Sequence, residues 1–205
     1  MRKLLLAGAA FGAFGCIAGP ALASNFASNG IAISGTSPDT CTLDSGTQNS
    51  ASNATYTGGA GSSTLAIGAL ASSTDASLQA TSAEITFVGM CNYAHTVSIS
   101  SANSGLVNTS SSNDPIAGSG LFIQKVGYNA TYTWAGADTS RAGLNLSNSS
   151  SPSHGTGTST NGATVSVGGA NQGNLVLDFA IPASATPVVA GTYNDTLTIT
   201  LGGVE

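Results

Sequence analysis

Asn174 to Ile181 reads NLVLDFAI, with Leu175, Leu177, Phe179 and Ile181 on one side of an alternating pattern and Asp178 on the other. A period of two over eight residues is the pattern of a strand with one buried face. Pro182 and Pro187 end the stretch, because proline cannot donate to a ladder of backbone hydrogen bonds. Further on, Gly191 to Leu201 (GTYNDTLTITL) sets Leu197, Ile199 and Leu201 against Thr196, Thr198 and Thr200. Upstream, Glu84 to Met90 (EITFVGM) puts Ile85 and Phe87 on one face and runs directly into Cys91. His95 to Ser101 then alternates Val97 and Ile99 before the turn residues Ala102-Asn103-Ser104-Gly105. Leu121 to Trp134 (LFIQKVGYNATYTW) is rich in β-branched and aromatic residues and reads as one bent strand or a hairpin.

Shorter strands are expected at Ala54 to Thr57 and Ala163 to Val167, while Leu65 to Leu70 fits strand and helix equally. Residues 135 to 173 form a polar Ser/Gly/Asn/Thr excursion, long for a loop in a compact domain. No stretch offers a helical period of comparable quality. Many short alternating strands separated by Gly/Ser/Asn turns predict an all-β antiparallel sandwich.

Composition narrows the function. Of 205 residues 6% are charged, far below the usual ~25%. Arg2 and Lys3, the apolar stretch Leu4 to Ala18 and the small-x-small site Ala21-Leu22-Ala23 read as an export signal over residues 1–23. A lipidated Cys16 is the rival reading, and Phe14 two positions before it argues against that. Without the signal, two basic residues (Lys125 and Arg141) face nine acidic ones, a net charge of −7. Such a surface excludes a nucleic-acid binder, whose affinity comes from Lys and Arg displacing phosphate counterions. No later run is long enough to span a bilayer as a helix. Two cysteines remain, Cys41 and Cys91, and in an export compartment a disulfide between them is the expectation.

Catalytic and metal chemistry find little to stand on. The imidazoles are His95 and His154, no G-x-S-x-G elbow marks a nucleophile, and the acidic residues are scattered near turns. His95 lies four residues from Cys91 without a second Cys or His nearby, so no metal-ligand spacing is present. The Gly-rich run at residues 155 to 162 lacks the lysine of a phosphate-binding loop. No enzyme activity and no cofactor are expected.

Two stretches carry a family resemblance. FVGMCNYAHTVSISSANSGL, residues 87 to 106, resembles the part of chaperone-usher fimbrial pilins where the second cysteine is followed by a strand and a Ser/Asn/Gly turn. AGTYNDTLTITL, residues 190 to 201, is similar to the closing strand of those pilins and of their spore coat protein U relatives. The first cysteine, after an alternating N-terminal segment, fits the same pattern. The resemblance implies an incomplete immunoglobulin-like sandwich that lacks its last strand and is completed first by a periplasmic chaperone. At an outer-membrane usher, the N-terminal extension of another copy or a related subunit then takes the chaperone's place. The chain would reach the cell surface in a fimbrium serving adhesion or biofilm formation.

On that reading residues 24–36 are the donor extension, with Ile31 and Ile33, and Phe26 upstream, as its inserted side chains. Residues 37–205 are the pilin-like domain, with Tyr193, Leu197, Ile199 and Leu201 along the acceptor groove. The last alternating stretch stops at Leu201, and no further strand is expected after it. Three rivals stand beside this. The segment before Cys41 is the domain's own first strand; the chain is a secreted monomeric sandwich binding carbohydrate through Tyr128, Tyr132 and Trp134; or it is a coat or matrix protein assembling without an usher.

Overall fold

The computed structural model describes residues 30–110, 121–135, 142–150, 160–162 and 164–203. Two units divide the chain, residues 1 to 37 and residues 38 to 205. In the second, the strands in chain order are β1 (Cys41–Leu43), β2 (Thr47–Ser52), β3 (Ala54–Thr57), β4 (Thr64–Ile67), β5 (Ser77–Leu78) and β6 (Thr81–Cys91). They continue with β7 (His95–Ser101), β8 (Leu106–Asn108), β9 (Lys125–Val126), β10 (Asn129–Trp134), β11 (Ala142–Asn145) and β12 (Thr160–Asn161). The last five are β13 (Val165–Val167), β14 (Asn171–Ile181), β15 (Ser184–Pro187), β16 (Tyr193–Asn194) and β17 (Leu197–Gly203). The described residues hold no helix.

The alternating stretches become the two long central strands. β6 and β14 pair antiparallel over their whole length, from Asn171 opposite Cys91 to Ile181 opposite Thr81. β10 extends the sheet beyond β14, and β11 beyond β10. β1 and β2 share the other edge of β6, along residues 89 to 91 and 82 to 86 respectively. The smaller sheet is built on β7, with β12 and β13 along one edge and β17 along the other. Every pairing between these strands is antiparallel, as the period-two pattern predicts.

The buried faces meet in one core. Ala83 and Ile85 of β6, Leu175, Leu177, Phe179 and Ile181 of β14, and Ala130, Tyr132 and Trp134 of β10 point inward, as do Val97 and Ile99 of β7. Charged Asp178 and Glu84 stand opposite each other in the β6–β14 ladder, between those buried positions. Cys41 and Cys91 are direct cross-strand partners and form a disulfide, tying β1 to the end of β6. Trp134 lies over Gly89, where a Cβ would sit 3.1 Å from its ring, and its indole N–H donates to the Gly173 carbonyl at 3.0 Å.

Two stretches differ from what their patterns predict. Leu121 to Trp134 is neither one strand nor a hairpin: β9 pairs with β8, whereas β10 belongs to the six-stranded sheet, and the chain changes sheet at Gly127-Tyr128. Gly127 permits the change because its backbone lies against that of Leu146, whose oxygen a Cβ would approach to 2.1 Å. Residues 30 to 37, apolar and alternating in part, form no strand. Alternation makes a strand only where a neighbour takes up the backbone N–H and C=O groups.

Candidate functional site

β17 is an edge strand. It pairs with β7 along its full length, from Leu197 opposite Ser101 to Gly203 opposite His95, and its other edge has no strand partner among the described residues. Beside it lies a cavity of about 590 Å³, open to solvent. One wall is β17 itself, through Leu197 and Ile199. The opposite wall is the hairpin of β3 and β4, through Tyr56, Leu65 and Ile67, and the floor is Ile85 and Phe87 of β6 with Leu177 and Phe179 of β14. An apolar interior is therefore reachable between the two sheets where a sandwich normally closes. Such an opening costs folding free energy, since apolar area left wet forgoes roughly 25 cal/mol per Å².

The groove has polar ends. At the tip of the hairpin stand Ser62, Ser63 and Asp44. Asp44 Oδ1 accepts the Val88 N–H at 2.8 Å and the Gly46 N–H at 3.0 Å, and the Asp44 N–H donates to the Val88 carbonyl. In this way a side chain continues the edge of β6 across the gap between β1 and β2. The other end is Asp195, just before β17. Its Oδ2 accepts the hydroxyls of Ser101 at 2.5 Å and Tyr128 at 2.7 Å, and its Oδ1 accepts the N–H groups of Asn103 and Thr196 at 2.9 and 2.7 Å. Burial, and then the bond to the Asp195 carboxylate, hold the Tyr128 phenol well above its usual pKa.

Of Tyr193, Leu197, Ile199 and Leu201, the residues expected along an acceptor groove, Leu197 and Ile199 line this cavity. Leu201 lies farther along β17, opposite Val97 and packed on the core. Tyr193 is in β16, its hydroxyl donating to the Val189 carbonyl at 2.8 Å with the Ile123 carbonyl at 3.2 Å, and it does not line the groove. The floor residues Ile85, Phe87, Leu177 and Phe179 were legible as strand faces but not as a site, because period two says which side is apolar and not whether it is covered. Ile31 and Ile33 are 82% and 93% exposed, and Phe26 lies outside the described residues. The aromatics of the carbohydrate reading, Tyr128, Tyr132 and Trp134, are all buried, so they offer no ring face to a sugar.

Among the described residues no three His, Cys, Asp or Glu side chains come together as metal ligands. Nor is any helix there long and apolar enough to cross a membrane. No family model, no curated protein and no solved structure matches the chain.

Proposed function

We propose that this protein is the structural subunit of a surface fimbria, exported through the periplasm, that polymerises when the segment around Ile31 and Ile33 of one copy enters the groove of another. The observation that carries this reading is an apolar groove beside the unpaired edge of β17. The strand order supports it. Immunoglobulin-type sandwiches place strands A, B, E and D in one sheet and C, F and G in the other. Here β1 and β2, β6, β14 and β10 follow the first order, and β7 and β17 stand as C and F. The groove then occupies the place of strand G.

The occupant's spacing supports it as well. Two inward side chains of β17, Leu197 and Ile199, fall within the groove, two residues apart. A strand beside β17 would put side chains of the same spacing between the sheets, as Ile31 and Ile33 are spaced. Strand addition to an open sheet edge, as in chaperone–pilin complexes, draws affinity from main-chain bonds and specificity from alternate side-chain pockets. On this reading a periplasmic chaperone protects the groove before assembly and an outer-membrane usher is the site of exchange.

The test is an Ile31→Asp/Ile33→Asp double variant. It should be exported and disulfide-bonded yet remain monomeric or chaperone-bound, and a synthetic peptide of residues 24 to 37 should bind it. Normal fibres from the variant, or a wild-type chain that stays monomeric with no chaperone and no donor peptide, would make the segment something other than a donor strand.

A further inference from the structure

The β3–β4 hairpin is a wall of the groove that belongs to neither sheet: its strands pair with each other and with no other strand among the described residues. Its two ends are held in different ways. At the base, Asn53 adopts a left-handed backbone conformation (φ 56°) and its side chain ties both ends of the hairpin to the neighbouring chain. Asn53 Nδ2 donates to the Ala69 carbonyl at 2.7 Å and to Thr81 Oγ1 at 3.0 Å, while Oδ1 accepts the Ala69 N–H at 2.8 Å. The Asn53 carbonyl accepts the Gly68 N–H at 2.9 Å.

The tip is held by hydroxyls. Tyr56 OH donates to the Ser45 carbonyl at 2.5 Å, and Ser63 Oγ donates to the same oxygen at 3.4 Å. Gly58 lets the tip lie against this backbone, since a Cβ there would come within 2.6 Å of the Ser45 oxygen. Between base and tip the hairpin meets the floor through half-buried apolar side chains, with the Tyr56 ring edge-on to Phe87 at 6.3 Å, and one hydrogen bond ties it to β2, the Tyr56 N–H donating to Gln48 Oε1 at 2.6 Å. Apolar contact has no directional requirement and survives a sliding or tilting wall, whereas a hydrogen bond is lost over a fraction of an ångström.

We infer that the hairpin is a hinged wall: pinned at Asn53, tied to β2 at Gln48 and latched at its tip by Tyr56 and Ser63 on the Ser45 carbonyl, it swings outward from the tip to admit a strand and closes on it afterwards. This rests on the groove being a strand acceptor, and it adds the element that governs entry. The latch sets the rate of uptake, and the closed wall gives the inserted strand a second side to pack against. Segments with few ladder bonds to the main sheets open at low free energy, so β3 and β4 exchange amide hydrogens far faster than β6 and β14 in the empty subunit.

The experiment uses the full mature chain carrying Ile31→Asp/Ile33→Asp, so that its own segment is not an occupant. Amide exchange is followed by mass spectrometry, and uptake of the residue 24–37 peptide by stopped flow. Tyr56→Phe/Ser63→Ala removes the latch and keeps the ring, and Gly58→Ala separately wedges the tip off Ser45. Each should speed hairpin exchange and peptide uptake about tenfold, which corresponds to about 1.4 kcal/mol. Exchange in β6 and β14 should stay as it was.

A hairpin as protected as β6 in the parent, or faster exchange without faster uptake, overturns the hinge. If the parent binds no peptide, the strand-acceptor reading fails separately. The wall is then judged with 1-anilinonaphthalene-8-sulfonate, whose binding must rise in both variants for the hinge to stand and overturns it if unchanged.

Discussion

Asp195 gathers four donors from three parts of the chain: the hydroxyls of Ser101 and Tyr128 and the backbone N–H groups of Asn103 and Thr196. It fixes where β17 begins relative to β7 and β10, at the point where no further strand among the described residues holds that edge. Asp195→Ala leaves the Ser101 and Tyr128 hydroxyls without their acceptor, and a loss of about 2 to 3 kcal/mol is expected in urea denaturation. The tyrosines give a pH dependence. Burial raises Tyr128, Tyr132 and Tyr193 above the ordinary value of 10.0, with Asp195 adding to the effect at Tyr128. Folding therefore holds their phenols neutral. The stability tied to this is complete below pH 10 and is lost as pH rises through the raised values. Phenolate absorbance should show these three titrating together with unfolding above pH 10, and Tyr128→Phe should flatten the alkaline slope. Three phenols ionising near pH 10 in the folded chain would contradict this. At Cys41 and Cys91 the bridge closes a sequence separation of 50 residues, and replacing either cysteine should cost about 2 to 5 kcal/mol by chemical denaturation.

Elements here are decided by their neighbours as much as by their own pattern. β14 and β7 match the alternation read from NLVLDFAI and HTVSISS because both lie mid-sheet, one face buried and a ladder on each side. The short strand expected at Ala54 to Thr57 is β3, and the ambiguous run from Leu65 resolves into β4 because the two pair from Ala54 opposite Ile67 to Thr57 opposite Thr64. The Leu121 to Trp134 run breaks because its two halves find partners in different sheets, a matter no local pattern encodes. Gly127 at that break has no room for a side chain. Gly127→Ala drives a methyl into the backbone of Leu146, and a loss of about 3 kcal/mol is expected, read as a lower thermal midpoint. A midpoint equal to that of wild type would mean that the backbone at Leu146 and Ser147 yields freely.

For the whole molecule, the proposed strand exchange makes the open groove a site of assembly. Burying Ile31 and Ile33 at a junction is worth about 1.5 to 3 kcal/mol for each side chain, so losing both should remove most of the polymer seen by electron microscopy. Phe26 is five residues before Ile31. In a regular strand an odd separation places the two on opposite faces, so Phe26 cannot share the groove with Ile31 and Ile33 without a bulge. Fibres from a Phe26→Ala variant should therefore form normally, and their loss would show that the inserted strand is bulged or longer than the Ile pair.

The sequence by itself determined the all-β antiparallel class, the faces of the long strands and the candidate disulfide. These follow from a period of two, from Gly, Pro and Asn at turns, and from the count of cysteines left once residues 1–23 are read as an export signal. Tertiary structure alone decided which apolar face stays uncovered. Leu197 and Leu201 look alike in the alternation of GTYNDTLTITL, yet Leu197 lines the groove and Leu201 packs on the core opposite Val97. Tyr128, Tyr132 and Trp134, which only the carbohydrate reading needs exposed, are buried, Tyr132 and Trp134 where β10 runs beside β14. Alternation is a property of one strand and is written locally. Coverage is a property of what the other strands do, and it is settled only when distant stretches such as Ala54–Ile67, Thr81–Cys91 and Leu197–Gly203 are brought together around one space.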